Sequence, residues 1–213
     1  MTDPLDNQSP ELFGQTPWQT VGPFFHYGLP WFGGADLVGD SALGARPELF
    51  AEHHAALNWA PPRGPVEGER ITLVGTVIDG EGAPAPDALI EIWQADAHGR
   101  CADAAPDGFV GFGRAATDDA GGYRFHTVRP GRVPGPDGRL QAPHIAVGVL
   151  GRGLIKRLVT RVYFDGEPSN ATDAVLAAVP RERRRTLLAR PEGDVWRFNI
   201  ILQGAGETVF FAC

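Results

Sequence analysis

Cysteine is nearly absent from this chain. Its two cysteines, Cys101 and Cys213, form no CxxC pair and suggest no disulfide framework. Long apolar runs are missing as well: none approaches the ~20 residues that a membrane span needs. The start, MTDPLDNQSPELFG, is acidic and polar and lacks the apolar stretch of a secretory leader. Positive charge is in short supply. Nineteen Lys and Arg against 26 Asp and Glu leave a net charge of −7, which argues against broad nucleic-acid binding and against an anionic membrane surface. These absences predict a soluble, cytoplasmic protein with no nucleic-acid or membrane partner. The same negative field repels an anionic substrate, so a carboxylate ligand would need its own local cation.

Punctuation is plentiful instead. With 28 glycines and 19 prolines set between apolar runs, the chain favours many short strands over long helices. At 213 residues it is long enough for one sizeable core, burying roughly 70% of the surface its unfolded chain exposes. Residues 1–69 have little strand or helix periodicity, yet they carry Trp18, Phe24, Phe25, Tyr27, Trp31, Phe32, Phe50 and Trp59. Disordered tails are poor in aromatics, so this N-terminal arm is expected to pack on its own core and on a partner chain.

From Arg70 the pattern changes. ITLVGTVID (71–79), the turn-rich GEGAPAPD and ALIEIWQAD (88–96) read as strand, loop and strand. YRFHTV (123–128), HIAVGVL (144–150), LVTRVYFDG (158–166), WRFNIIL (196–202) and TVFFA (208–212) add further strands. In WRFNIIL, Trp196, Phe198, Ile200 and Leu202 share one face at period two. Residues 70–213 are therefore expected to form an all-β domain, an antiparallel β-sandwich with turns between its strands. One short helical insertion is expected near 171–190. ATDAVLAAV (171–179) offers Asn170 as N-cap and Asp173 in the first turn, and Pro180 then restarts or kinks the helix. Arg181, Arg183, Arg184 and Arg185 beyond it read as a solvated helix face in an acidic protein.

Several stretches, taken in order, carry a family resemblance. They are TPWQTVGPFFHYGL (16–29), the G-x-V-x-D-x-x-G-x-P turn with IEIWQADAHGR ending at Arg100, YRFHTVRPG (123–131), APHIAVGVLGRG (142–153) and the ending LQGAGETVFF (202–211). Together they resemble the intradiol ring-cleavage dioxygenases over nearly the whole chain, from about Thr16 to Cys213. That resemblance implies a β-sandwich and an iron(III) site that opens a catechol between its two hydroxyls. Ferric iron is a hard cation stabilised by anionic phenolate oxygens, with imidazoles completing the site. The family's iron-binding chains use two Tyr and two His, the His pair as H-x-H on one strand, where period two puts both rings on one face.

This sequence departs from that pattern. Val133 stands where a Tyr would follow RPG, and His144-Ile145-Ala146 stands where H-x-H would. The earlier tyrosine should fall between Arg100 and Gly113, and CADAAPDGFVGF contains none. Only His144 remains, and valine and alanine cannot bind iron. The resemblance thus implies the α subunit of a two-chain member: no metal and no catalytic residue in this chain, Fe(3+) held by a homologous β subunit, and a higher αβ oligomer. A small aromatic substrate would sit at the interface.

The positions that carry over as substrate-pocket wall are Thr20, Gly22, Pro23 and Arg152. Gly22, lacking a Cβ and preceding proline, permits close backbone approach, Pro23 stiffens the wall, and Arg152 could attract the substrate carboxylate. Against these stand plainer readings: TVGPFF as an ordinary tight turn docking Phe24 and Phe25, Arg152 as a surface arginine or interface ion pair, and His144 as a hydrogen-bonded remnant. His126 reads as exposed, and the adjacent His53 and His54 lack one-face ligand spacing. Two alternatives differ in kind. One is a chain active alone, with iron on His144, His126, Tyr123 and Tyr163. The other is a stand-alone transthyretin-like β-sandwich binding module, which GTVIDGEGAPAPDALIEIW alone would suit.

Overall fold

A computed structural model describes residues 19–25, 34–39, 66–101 and 109–212. Among these residues nine strands carry the fold: β1 (Arg70–Ile78), β2 (Leu89–Trp93), β3 (Phe112–Ala116), β4 (Gly122–Val128), β5 (His144–Leu150), β6 (Leu158–Phe164), β7 (Leu188–Glu192), β8 (Val195–Arg197) and β9 (Ile200–Ile201). They form one hydrogen-bonded path, β3-β2-β5-β6-β7-β8-β1-β4, with β9 on β1.

Alternation makes the core. In β5, Ile145, Val147 and Val149 are all but fully buried while His144, Ala146 and Leu150 between and beside them are half-buried, as period two requires. Leu73 and Val77 of β1 and Phe125 of β4 meet Ile90, Ile92, Val147, Val162 and Phe164 in one cluster. A cluster fed by both halves of the path is the packing of a sandwich. Each such side chain contributes about 1.5–3 kcal/mol. Trp196, Phe198, Ile200 and Leu202 all join this cluster, as their shared face predicts.

The expected strands are present with adjustments. WRFNIIL is split, because Phe198 donates its N–H to the Val74 carbonyl and Asn199 turns its side chain onto the Thr76 N–H. TVFFA makes only a bridge from Phe211 to Val159. Strands β3 and β7 add to the expected set; β3 is glycine-bearing and β7 contains Pro191. Most pairings are antiparallel, but β1 with β8, β1 with β9 and β6 with β7 are parallel.

The helical insertion is a 3-10 turn (Pro168–Thr172), a short helix α1 (Ala174–Ala178) and a second 3-10 turn (Arg184–Leu187). Its N-cap is Asp173, whose carboxylate accepts the Leu176 N–H, not Asn170. The arginines beyond Pro180 do not form a helix face. Arg183 and Arg184 donate to the carbonyls of Glu207, Val179 and Ala177. Among the described residues no helix is long and apolar enough to cross a membrane.

Of the N-terminal arm, residues 34–38 lie buried against β3 and β4, where Arg114 N–H donates to the Gly34 carbonyl and His126 N–H to that of Ala35. Trp18, Tyr27, Trp31, Phe32, Phe50, Trp59, His53 and His54 lie outside the described residues.

Candidate functional site

Two neighbourhoods receive the residues singled out in the sequence. The first is the turn after β5, closed by Leu154 N–H on the Gly151 carbonyl at 3.1 Å, with Gly153 at φ +86°. Such a φ suits glycine because it has no Cβ to clash. Residues 19–25 lie along this turn. Val21 bridges Arg152, and the Thr20 hydroxyl accepts the Gly153 N–H at 2.7 Å. Its proton points toward the Val21 and Gly151 carbonyls at 3.2 and 3.4 Å. Thr20 is thus a clasp across the turn. Among the described residues nothing lies within 4 Å of where a Cβ on Gly22 would stand. Phe25 N–H closes a tight turn onto the Gly22 carbonyl at 3.2 Å. On that turn Phe24 is 75% exposed. Arg152 is anchored within the chain by an ion pair, its Nε 3.1 Å from Asp87 Oδ2, while its side chain stays 62% exposed.

The second neighbourhood is the outer face of β2, β5 and β6. His144 stands opposite Tyr163, and Ala146 lies between Trp93 and Arg161. Cross-strand partners share a face, so these side chains surround the place the family's H-x-H would occupy. The His144 ring meets the Tyr163 ring at 5.7 Å between centroids. Its Nδ1 donates to the Ala142 carbonyl at 2.8 Å. Burial holds the imidazole pKa below its ordinary value and the Arg161 guanidinium pushes the same way, against the Ala142 bond and Asp173. Arg161 Nη1 donates to Gln141 Oε1 at 2.7 Å and reaches the Tyr163 hydroxyl at 3.4 Å. Gln141 N–H in turn donates to the Val133 carbonyl at 2.8 Å.

Beneath them lies Asp173, fully buried. It accepts from the Ala142 N–H (2.8 Å), the Tyr163 hydroxyl (3.1 Å) and the Leu176 N–H (2.8 Å). Burial raises the Tyr163 phenol to about 12.

These residues do not fit ferric iron. Val133 and Ala146 offer no donor atom, His144 is one imidazole beside a fixed cation, and Tyr163 is held as a phenol by burial and its bond to Asp173. The alternative set fails on topology and chemistry. Tyr123 and His126 sit on β4, at the opposite end of the strand path from β3 and beyond β6, β7, β8 and β1 from His144. The Tyr123 hydroxyl donates to the Phe198 carbonyl, and burial drives its pKa upward. His126, half-buried and not exposed, holds Thr72 Oγ1 at 3.0 Å.

The WQAD stretch proves structural. Gln94 donates to the Ala95 and Val128 carbonyls and accepts from Thr127, and Asp96 accepts from the His98 and Arg100 amides and the Arg100 Nε. Desolvation opposes ionisation of Asp96, but the Arg100 and His98 bonds outweigh it and hold its pKa below the usual carboxylate range. Asp87, Gln141, Arg161 and Asp173 escaped the sequence reading as site residues. Only the strand register, which places Arg161 opposite Ala146, and the loop geometry around Asp87 reveal them.

Comparison with known proteins agrees with this architecture. A family model described as "Dioxygenase" matches residues 48–204. The protocatechuate 3,4-dioxygenase alpha chain of Burkholderia cepacia is 42% identical over 210 residues, covering 92% of this chain and 96% of that one. The beta chain from the same organism is 38% identical over 158 residues, covering 66% and 67%. Among solved structures, the dioxygenase domain of a carbohydrate-binding fusion protein from Streptomyces sp. SirexAA-E superposes with a TM-score of 0.56 at 27% identity, covering 88% of this chain and 97% of that one. The chain belongs to the intradiol ring-cleavage dioxygenase family.

Proposed function

We propose that this chain is the iron-free α subunit of a protocatechuate 3,4-dioxygenase. It acts with a homologous β subunit that holds Fe(3+), and the pair opens protocatechuate with both atoms of O2 to give 3-carboxy-cis,cis-muconate. The observation that supports this reading is the face of β5 and β6, where Ala146 offers no donor atom and its cross-strand partner is the cation Arg161. The similarity to one chain named alpha, at higher identity and coverage than to one named beta, supports it further. The enzyme is a non-haem iron oxidoreductase. This chain's part in it is to bind, orient and enclose, and it supplies no reacting group.

In this reading residues 1–69 form an arm that wraps the 70–213 sandwich and reaches the β subunit. Thr20, Gly22, Pro23 and Arg152 then wall the entrance to the β subunit's pocket. Thr20 fixes the turn, the missing Cβ of Gly22 admits the neighbouring ring, and Arg152 supplies the local cation that a carboxylated catechol needs against a net charge of −7. The assembly is a higher αβ oligomer in the cytoplasm. A transthyretin-like module, the competing reading, has no use for a clasp between residues 19–25 and the turn after β5.

Co-expression with a related chain that retains both Tyr and H-x-H tests the proposal. Ring cleavage of protocatechuate, followed by loss of its absorbance, is expected from the co-purified pair and not from this chain alone. Full activity in the isolated chain would overturn it.

A further inference from the structure

The anchoring of Arg152 goes beyond a pocket-wall assignment. An exposed arginine ordinarily samples many rotamers, and ordering one costs side-chain entropy. Here its backbone and its side chain are each held. The backbone is fixed by the Val21 bridge and by the Thr20 hydroxyl on the Gly153 N–H. Asp87 holds the side chain through the ion pair at Nε, 3.1 Å from Oδ2.

Asp87 is itself well supported. Its side chain is only 16% exposed. The loop it stands on is held by Thr117, whose hydroxyl donates to the Ala85 carbonyl at 2.7 Å and accepts the Ala88 N–H at 3.0 Å. Thr117 is buried, and Ala88 packs on Gly151 at the foot of the same turn, 3.8 Å from where a Cβ would stand. One rigid corner therefore carries both the carboxylate and the turn that bears the arginine.

The atom that Asp87 engages matters. The contact is at Nε, and the arginine side chain stays 62% exposed, so the terminal nitrogens on its far edge are the ones to face a ligand. That edge is a fork which meets a carboxylate with two parallel N–H···O bonds. We infer that Asp87 is a positioning residue: it holds the Arg152 guanidinium so that its terminal fork receives the carboxylate of the aromatic substrate. The inference rests on the reading of Arg152 as part of the substrate wall.

Two effects of Asp87 oppose one another. Its charge weakens the attraction of an anion toward Arg152, while its ion pair removes the disorder of the arginine. At the dielectric of water the charge effect is about threefold over a separation on the order of 7 Å, which lies inside the Debye length and is little screened. A bidentate charged hydrogen bond carries about a tenfold or greater effect on binding. Orientation wins, so loss of Asp87 weakens binding of a carboxylated substrate.

The test uses the co-purified αβ enzyme with Asp87→Ala, Arg152→Gln and the double variant, assayed on protocatechuate and on catechol, which lacks the carboxylate. Arg152→Gln should raise KM for protocatechuate about tenfold with kcat within about twofold. Asp87→Ala should raise that KM about threefold alone, and not at all in combination with Arg152→Gln. Neither change should move KM for catechol. Asp87→Asn, which keeps a neutral oxygen in place, should fall between wild type and Asp87→Ala, and it serves if the alanine variant does not assemble. If Arg152→Gln leaves KM for protocatechuate unchanged, the wall reading fails and the inference with it. If Arg152→Gln acts but the Asp87 variants leave KM unchanged, lower it, or add their effect to that of Arg152→Gln, Arg152 stands and Asp87 has no positioning role.

Discussion

Arg161 stands directly opposite Ala146 across the β5–β6 ladder, and its guanidinium donates to Gln141 Oε1 at 2.7 Å. In the family's iron-binding chains a histidine is expected at the position of Ala146. Here a cation bonded to Gln141 is its cross-strand neighbour.

Restoring one ligand is therefore insufficient. Ala146→His places an imidazole between Trp93 and Arg161, where overpacking costs about 1–3 kcal/mol. The isolated variant should melt at lower temperature and still bind no iron, as read by metal analysis and by the absence of a visible tyrosinate-to-iron absorption.

Asp173 is the anchor beneath this face. Asp173→Ala strands the Ala142 N–H and the Tyr163 hydroxyl in the interior and removes the cap of α1. The expected loss is about 3 kcal/mol by chemical denaturation. Tyr163→Phe leaves Asp173 with two amide donors and should cost only about 1 kcal/mol.

His144 predicts a pH dependence. Its imidazole binds a proton less readily in the folded chain than in the unfolded one, whose ordinary value is 6.5. The unfolded state then carries more protons between the lowered folded value and 6.5, so stability rises with pH across that window. The contribution is complete above 6.5 and is lost as the pH falls below it. Thermal melts of the wild type from about pH 5 to about 7.5 should show this slope, and His144→Gln should flatten it.

The packing of β1 against β4 and the β8–β9 break is tested at Gly75. A Cβ there would collide with the Phe198 carbonyl and would stand 2.6 Å from the Tyr123 hydroxyl oxygen. Backbone cannot yield as a flexible side chain can. Gly75→Ala should cost about 3 kcal/mol or more, and Gly148→Ala, whose nearest neighbours are atoms of the half-exposed Arg157 guanidinium, the far end of a long side chain, should cost less, about 1 kcal/mol. Chemical denaturation of the two variants side by side reads the difference.

Much of this is legible in the sequence, and the failures have causes. Strands β1, β4, β5 and β6 are readable because apolar residues alternate over seven to nine positions. Strand β7 is not, since LARPE has no alternation and contains a proline; its pairing with β6 and β8 is decided by tertiary contact. Asn170 is the cap the sequence suggests, but its amide turns to the Phe164 carbonyl and leaves the cap to Asp173. At the site, residue type alone shows that Val133 and Ala146 offer no metal-binding atom. It does not show what stands nearby, because only register sets Arg161 against Ala146 and only the loop geometry sets Asp87 against Arg152.

The central claim is that iron belongs to the partner. The direct measurement is iron stoichiometry of this chain purified alone and of the complex with its iron-binding relative. The account predicts no stoichiometric iron in the isolated chain and one iron per pair of chains in the active complex. Stoichiometric ferric iron in the isolated chain, or two per pair, would contradict it.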